Sequence, residues 1–171
     1  MPFRMVFDVE RCVACGTCAI ACMDQCDTEL GRDTAHRRVM TRERMEDGRL
    51  TVHYLSMGCM HCARPACMAA CGRGCYHRDA ETGVVVLDKT RCVGCQRCVR
   101  ACPLGAVSID GAGKADKCNG CIERLKLGLP PACVKACQNE AIRFEYTEDA
   151  AQADNMEHVA ALAALLRASG G

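Results

Sequence analysis

Short apolar runs recur along the chain, each broken within a few residues by cysteine, glycine or charge. Met5-Val6-Phe7-Asp8-Val9, Leu50–Leu55 and Val84–Leu87 read as β-strands, as do Ala106–Ile109 and Ala141–Tyr146. Thr17–Cys22 and Arg97–Cys102 have helical composition, and Thr82-Gly83 and Asp110-Gly111 supply turns. The alanine-rich stretch Thr147–Ser169 carries Val159, Leu162, Leu165 and Leu166 at helical spacing, which predicts one amphipathic helix. That helix has two readings, packing on its own body or docking onto a partner subunit. The stretch Asp27–Arg49 is polar. It sets Arg32, Arg37, Arg38, Arg42 and Arg44 against Asp33, Glu43, Glu46 and Asp47, and reads as a solvated or partner-facing loop. The expectation is a small α+β protein without long elements.

Composition sharpens this picture. The chain has 171 residues, with 18 Cys and 9 Met but only three Phe, three Tyr and no Trp. So few large apolar side chains cannot build a generous core, and bound metal is the natural substitute. Lys and Arg number 22 against 21 Asp and Glu, so no net field draws in nucleic acid or an acidic membrane. No run approaches the roughly 18 apolar residues that suggest a membrane span. The opening MPFRMVFDVERC has no apolar segment of signal-peptide type. Arg37-Arg38 is internal and has no hydrophobic segment after it, unlike a twin-arginine export signal. These readings predict a cytoplasmic protein without a membrane span, and they remove the secretory context in which such cysteine content would mean disulfides.

Cysteine spacing then decides the chemistry. Cys12, Cys15, Cys18 and Cys22 are spaced C-x2-C-x2-C-x3-C, and Cys92, Cys95, Cys98 and Cys102 repeat this, followed by Pro103. Cys59, Cys62, Cys67 and Cys71 have a four-residue second gap, and Cys118, Cys121, Cys133 and Cys137 an eleven-residue one. The third group matches the bacterial ferredoxin run for [4Fe–4S] clusters. Three cysteines two residues apart wrap a loop round one face of a cubane and aim three thiolates at three irons. The loop amides face the cluster sulfurs. The fourth cysteine, expected at the start of a helix leading away, ligates a neighbouring cluster. Zinc sites use two C-x2-C pairs separated by a folded spacer and have no role for a third and fourth cysteine packed this closely.

The chain resembles the four-cluster iron–sulfur (beta) subunits of the molybdopterin oxidoreductase family, such as those of dimethyl sulfoxide reductase and formate dehydrogenase. The resemblance covers about residues 3 to 146, and its most specific marks are CMHCARPAC with the x4 gap and CNGCIERLKLGLPPACVKAC with the x11 gap. It implies two nested two-cluster ferredoxin-like modules with short β-hairpins and short helices. The outer comprises residues 1–49 plus 112–146 and the inner 50–111; the helical tail at 147–171 follows from the apolar spacing above and lies beyond the resemblance. The resemblance also implies four ligand sets: Cys12, Cys15, Cys18 and Cys137; Cys22, Cys118, Cys121 and Cys133; Cys59, Cys62, Cys67 and Cys102; and Cys71, Cys92, Cys95 and Cys98. Gly72 and Gln138 stand where the family usually has proline, which leaves those turns without proline's restraint.

Cys26 and Cys75 fall outside these sets and read as small buried apolar side chains. His61, between Cys59 and Cys62, reads as tuning a cluster through hydrogen bonding rather than as a ligand. His36, His53, His77 and His158 show no metal-like spacing, and the methionines read as core filler. No nucleophile–base pair, nucleotide loop or open metal position is visible, so catalysis belongs to a partner. The resemblance implies an electron-transfer subunit of anaerobic metabolism, passing single electrons to or from a molybdenum- or tungsten-pterin catalytic subunit. A further redox or membrane subunit, and co-export with a signal-bearing partner, belong to the same expectation. A free polyferredoxin, or a filament-forming conduit serving an aldehyde oxidoreductase, would share every motif. A redox-sensing or zinc-structured regulator is the third class.

Overall fold

The computed structural model describes residues 3–29, 35–147 and 154–167. Arg32, Asp33 and the ends of the alanine-rich stretch lie outside the described residues. In chain order the strands are β1 Phe3–Phe7, β2 Arg37–Glu46, β3 Arg49–Gly58, β4 Tyr76–Arg78, β5 Val85–Leu87, β6 Val107–Ile109, β7 Ala115–Lys117 and β8 Ile142–Tyr146. The helices are α1 Thr17–Gln25, α2 Ala66–Ala69, α3 Arg97–Ala101, α4 Ile122–Lys126, α5 Ala132–Lys135 and α6 Met156–Arg167. The result is a mixed α+β fold of small helices and short antiparallel strand pairs.

The strands form four two-stranded antiparallel sheets: β1 with β8, β2 with β3, β4 with β5, and β6 with β7. β1 pairs Phe3 with Tyr146 and Phe7 with Ile142, so strands far apart in sequence close one sheet. Alternation explains its placement. Phe3, Met5 and Phe7 are buried while Arg4 and Val6 are half-buried on the other face. Phe3 stacks on Phe144 with ring centroids 4.5 Å apart. The main core joins β1 to Leu55, Met57, Met60, Val84, Leu125 and Ile142, and a smaller one gathers Cys75, Tyr76, Val85, Cys98, Val107 and Ala115. Cysteines sit in both, so the two cores border the metal-ligand motifs.

The polar stretch read as a loop is in large part a strand. β2 pairs with β3 over ten residues, from Arg37 opposite Gly58 to Glu46 opposite Arg49. Its root is structural. The guanidinium of Arg37 is buried and donates to Ser56 O (2.9 Å) and Ser56 Oγ (3.1 Å). Arg38 donates to the carbonyls of Leu104 and Gly105, tying the hairpin to the turn after Cys102. Towards the tip the pattern fails as a burial signal, because Met45 and Leu50 are 68% and 60% exposed. The methionine expectation is corrected with it: Met5, Met57 and Met60 are core, but Met45 and Met68 are exposed.

α6 packs on the chain's own body. Val159, Leu162 and Ala163 are buried in the main core. Asn155 pins the helix entry, its Oδ1 accepting from Ala63 N (3.1 Å) and its Nδ2 donating to Met60 O (2.8 Å). His158 Nε2 accepts from Phe7 N at 3.0 Å.

Candidate metal centres

Each cysteine motif is built on the same backbone device. The residue just before the second cysteine is left-handed in all four: Ala14 (φ 54°), His61 (φ 45°), Gly94 (φ 69°) and Gly120 (φ 73°). In the first and third motifs Gly16 and Gln96, just after that cysteine, are left-handed too. Such alternation turns successive N–H groups into one concavity, a nest that binds anions and iron–sulfur centres. Space also demands glycine in two places. A Cβ on Gly94 would lie 2.3 Å from Gly113 O, and one on Gly120 would lie 2.7 Å from Val84 Cγ1.

A short helix follows each nest. α1 carries Cys18 and Cys22 one turn apart, hence on one face. α3 carries Cys98, with Cys102 at its C-terminal cap. The helix therefore starts at the third cysteine and delivers the fourth at its far end, rather than starting at the fourth as expected. Past the fourth cysteine the chain turns back identically in three motifs: Gly74 N, Gly105 N and Glu140 N donate to the carbonyls of Cys71, Cys102 and Cys137. Gly72 and Gln138 thus make the turn that Pro103 makes. Backbone amides also reach sulfur, with Cys75 N to Cys71 Sγ (3.5 Å), Ala106 N to Cys102 Sγ (3.3 Å), Ala115 N to Cys92 Sγ (3.3 Å) and Gly120 N to Cys118 Sγ (3.2 Å).

Cysteines from different motifs converge. One cavity is lined by Cys12, Cys15 and Cys18 together with Cys137. Another brings Cys71 to Cys92, Cys95 and Cys98, with Cys75 beside them. A third is lined by Cys22, Cys118, Cys121 and Cys133, and also by Cys26 and Cys59. Cys62 is surrounded by Cys59, Cys102 and Cys67, and burial together with these neighbours pushes its thiol up to about 12. Burial and Cys59 likewise push Cys67 up to about 11. Thiols this crowded keep their protons unless a cation replaces them, so metal binding here releases protons.

The surroundings suit anionic centres. Arg37 and Lys117 are buried cations, Arg37 beside Cys133, Cys18, Cys118 and Cys22. Lys117 donates to Val85 O and Cys118 O. Ser56 Oγ lies 3.1 Å from Cys18 Sγ. Among the described residues, His36 Nδ1, His61 Nε2 and Tyr76 OH are buried polar atoms without a protein partner. Each stands near motif cysteines: His36 and His61 line the third cavity, and Tyr76 the Cys71–Cys92 one. Cluster sulfurs are the acceptors that site chemistry offers for the His61 N–H and the Tyr76 O–H, whereas His36, whose Nε2–H donates to Asp116, presents Nδ1 as an acceptor when neutral.

Several of these residues escaped the sequence. Arg37 lay in a supposed loop, Asn155 in the alanine-rich stretch, and Ser56 just past the expected strand Leu50–Leu55. His36, unremarkable by spacing, has a ring nitrogen within 4.8 Å of Cys22 and Cys26 sulfurs, while its Nε2 pairs with Asp116 (2.8 Å). Cys75 is buried as expected, whereas Cys26 is only half-buried and lines the third cavity.

Thiol-lined concavities with amide nests are receptacles for cubanes, and several in one small body make a polycluster electron carrier. Known proteins place it more narrowly. The model of the 4Fe-4S dicluster domain matches residues 50–147. The B component of anaerobic dimethyl sulfoxide reductase from Haemophilus influenzae is 38% identical over 152 residues, which cover 83% of this chain and 73% of that protein. Thiosulfate reductase electron transfer subunit PhsB of Salmonella typhi is 35% identical over 144 residues, 83% of this chain and 74% of that protein. The B component of tetrathionate reductase from Salmonella typhimurium is 38% identical over 139 residues, 79% of this chain and 54% of that protein. The chain belongs to this 4Fe-4S dicluster family, among the iron–sulfur electron-transfer subunits of the molybdopterin oxidoreductases. It carries [4Fe–4S] clusters, four by its motif count, and is an electron-transfer subunit rather than a catalytic one. No helix among the described residues is long and apolar enough to cross a membrane.

Proposed function

We propose that the chain is a four-cluster wire serving a molybdenum- or tungsten-pterin catalytic subunit. Cys12, Cys15, Cys18 and Cys137 hold one cluster, and Cys22, Cys118, Cys121 and Cys133 its partner in an outer module. Cys59, Cys62, Cys67 and Cys102 hold a third, and Cys71, Cys92, Cys95 and Cys98 a fourth, in an inner module spanning 50–111. The observation that carries this reading is the convergence of Cys137 on the first motif's three leading cysteines in one cavity. Further support comes from the packing of α1 on α5 and of α2 on α3, which joins motif one to four and motif two to three.

Bound cubanes supply one-electron redox chemistry, with potentials set by charge, hydrogen bonding and exposure. The chain's own residues hold, shield and tune them. Nest amides and the buried Arg37 and Lys117 stabilise negative charge. Cys15 and Cys95 are exposed beside Val13 (58% exposed) and Val93 (63% exposed). These two apolar edges bring an outer-module and an inner-module cluster close to the surface, where a donor and an acceptor can each approach. Cys59 joins the cavity of the Cys22–Cys118 cluster, which supports electron passage between modules. The proposed location is the cytoplasm, or the compartment to which a signal-bearing catalytic partner carries the subunit.

Anaerobic purification of the tagged chain from its native host tests the proposal. A pterin-bearing subunit should co-purify, with about sixteen irons and sixteen sulfides per copy of this chain. Recovery only as a free protein or as filaments with no pterin subunit would count against the partner. Zinc, or about four irons, would count against the clusters.

A further inference from the structure

His61 is buried at the junction of the two cysteine systems. Its ring is 4% exposed, and its Nδ1 accepts the backbone N–H of Val85 at 3.1 Å. An acceptor nitrogen cannot also carry the proton, so the neutral ring is the Nε2–H tautomer. That Nε2 has no protein partner. A buried N–H left without an acceptor costs about 1–3 kcal/mol, so native proteins rarely leave one. The ring lines the cavity of Cys22, Cys118, Cys121 and Cys133, and Cys59 lines it too. A Cβ on Gly120, inside the Cys118–Cys121 loop, would lie 3.3 Å from His61 Cε1, which puts the ring directly over that loop. His61 itself is held left-handed (φ 45°) between Cys59 and Cys62, so a residue of the second motif reaches into the fourth motif's site.

We propose that His61 donates its Nε2–H to a sulfur of the cluster held by Cys22, Cys118, Cys121 and Cys133, bridging one module's ligand loop to the other module's cluster. This rests on the ligand sets proposed above. The donor opposes the negative charge gained on reduction, so it raises that cluster's potential relative to the same cluster without it. It thereby sets the step between the modules without touching the outward-facing clusters.

His61→Asn is the informative substitution. Asparagine tolerates the left-handed backbone, and its Oδ1 falls near the position of Nδ1, keeping the Val85 bond while removing the distal donor. In the full chain purified anaerobically with its clusters, H61N should keep all its iron and sulfide. A potentiometric titration followed by electron paramagnetic resonance should show one cluster shifted to lower potential and three unmoved. In wild-type protein labelled with 15N-histidine, a nitrogen hyperfine coupling should appear on one reduced cluster, survive His36→Asn and vanish in H61N. Four unmoved potentials, or no coupling in the wild type, overturns the hydrogen bond; the coupling decides alone if H61N does not assemble. Cys133→Ser should alter the same cluster that H61N shifts, and a different one overturns the assigned acceptor. Wild-type chain with fewer than about sixteen irons sinks the ligand sets instead.

Discussion

At Gly94 the backbone is left-handed (φ 69°) and a single added methyl would lie 2.3 Å from Gly113 O, so neither conformation nor space admits a side chain. Gly94→Ala should therefore lose the cluster at Cys71, Cys92, Cys95 and Cys98, lowering iron by about four atoms per chain. Gly16 is left-handed too, but nothing lies within 4 Å of its added Cβ. Gly16→Ala should carry only the conformational cost, about 1–2 kcal/mol, and keep its iron. The pair separates strain from collision on either side of a motif's second cysteine, read by iron and sulfide analysis beside thermal unfolding. Cys26→Ser should leave the iron count unchanged although Cys26 lines a cluster cavity, whereas Cys22→Ser should cost or convert one cluster. The reverse result would reassign the first motif's fourth ligand. Motif cysteines were legible because their spacing is the chemistry. Arg37 and Ser56 were not, since only the folded hairpin brings them to Cys18.

Among elements, β1 was legible through Met5 and Phe7, although the strand runs Phe3–Phe7 rather than Met5–Val9, while the three-residue β4 and β7 were too short to show a pattern. β2 was not legible either. Its arginines and glutamates dominate a ribbon packed against the body only at its root, and a two-stranded ribbon has no need of an apolar face along its length. The tail helix was legible in its apolar stripe, but its docking on the second motif depends on Asn155, a polar residue just ahead of the stripe. Asn155→Ala strands the Ala63 N–H and the Met60 carbonyl and should destabilise by about 1–3 kcal/mol in anaerobic denaturant unfolding. Leu162→Ala, deep in the core, should cost about 2–5 kcal/mol in the same measurement. The β1–β8 pair carries a pH-sensitive contribution. Arg4, 2.7 Å from Glu145, and then Arg143 hold the Glu145 carboxyl below its ordinary value, against a smaller opposing effect of burial. A depressed carboxyl stabilises above its unfolded pKa of about 4.3 and loses that contribution as pH falls through the folded value. Glu145→Gln should thus be less stable than wild type at neutral pH by at most about 1 kcal/mol, the pair being solvent-screened, and the difference should shrink below about pH 4.

On the scale of the whole molecule, metal substitutes for bulk. Neither of the two small cores is large, and both are bordered by cysteines that repel one another as bare thiolates. Chelating the iron should therefore unfold the chain cooperatively rather than leave a stable apo form, a loss that circular dichroism after anaerobic chelation would register. The closure of β1 against β8 has a temporal consequence. Arg4 and Glu145 are 141 positions apart, so a nascent chain leaving the ribosome displays the first motif long before Cys137 and β8 exist to complete it. In the proposed pairing the second and third motifs need no cysteine beyond Cys102, so they should mature first. Cluster insertion should then proceed from the middle of the polypeptide outward, and a chain ending ahead of Cys118 should yield a brown product with half the full iron content.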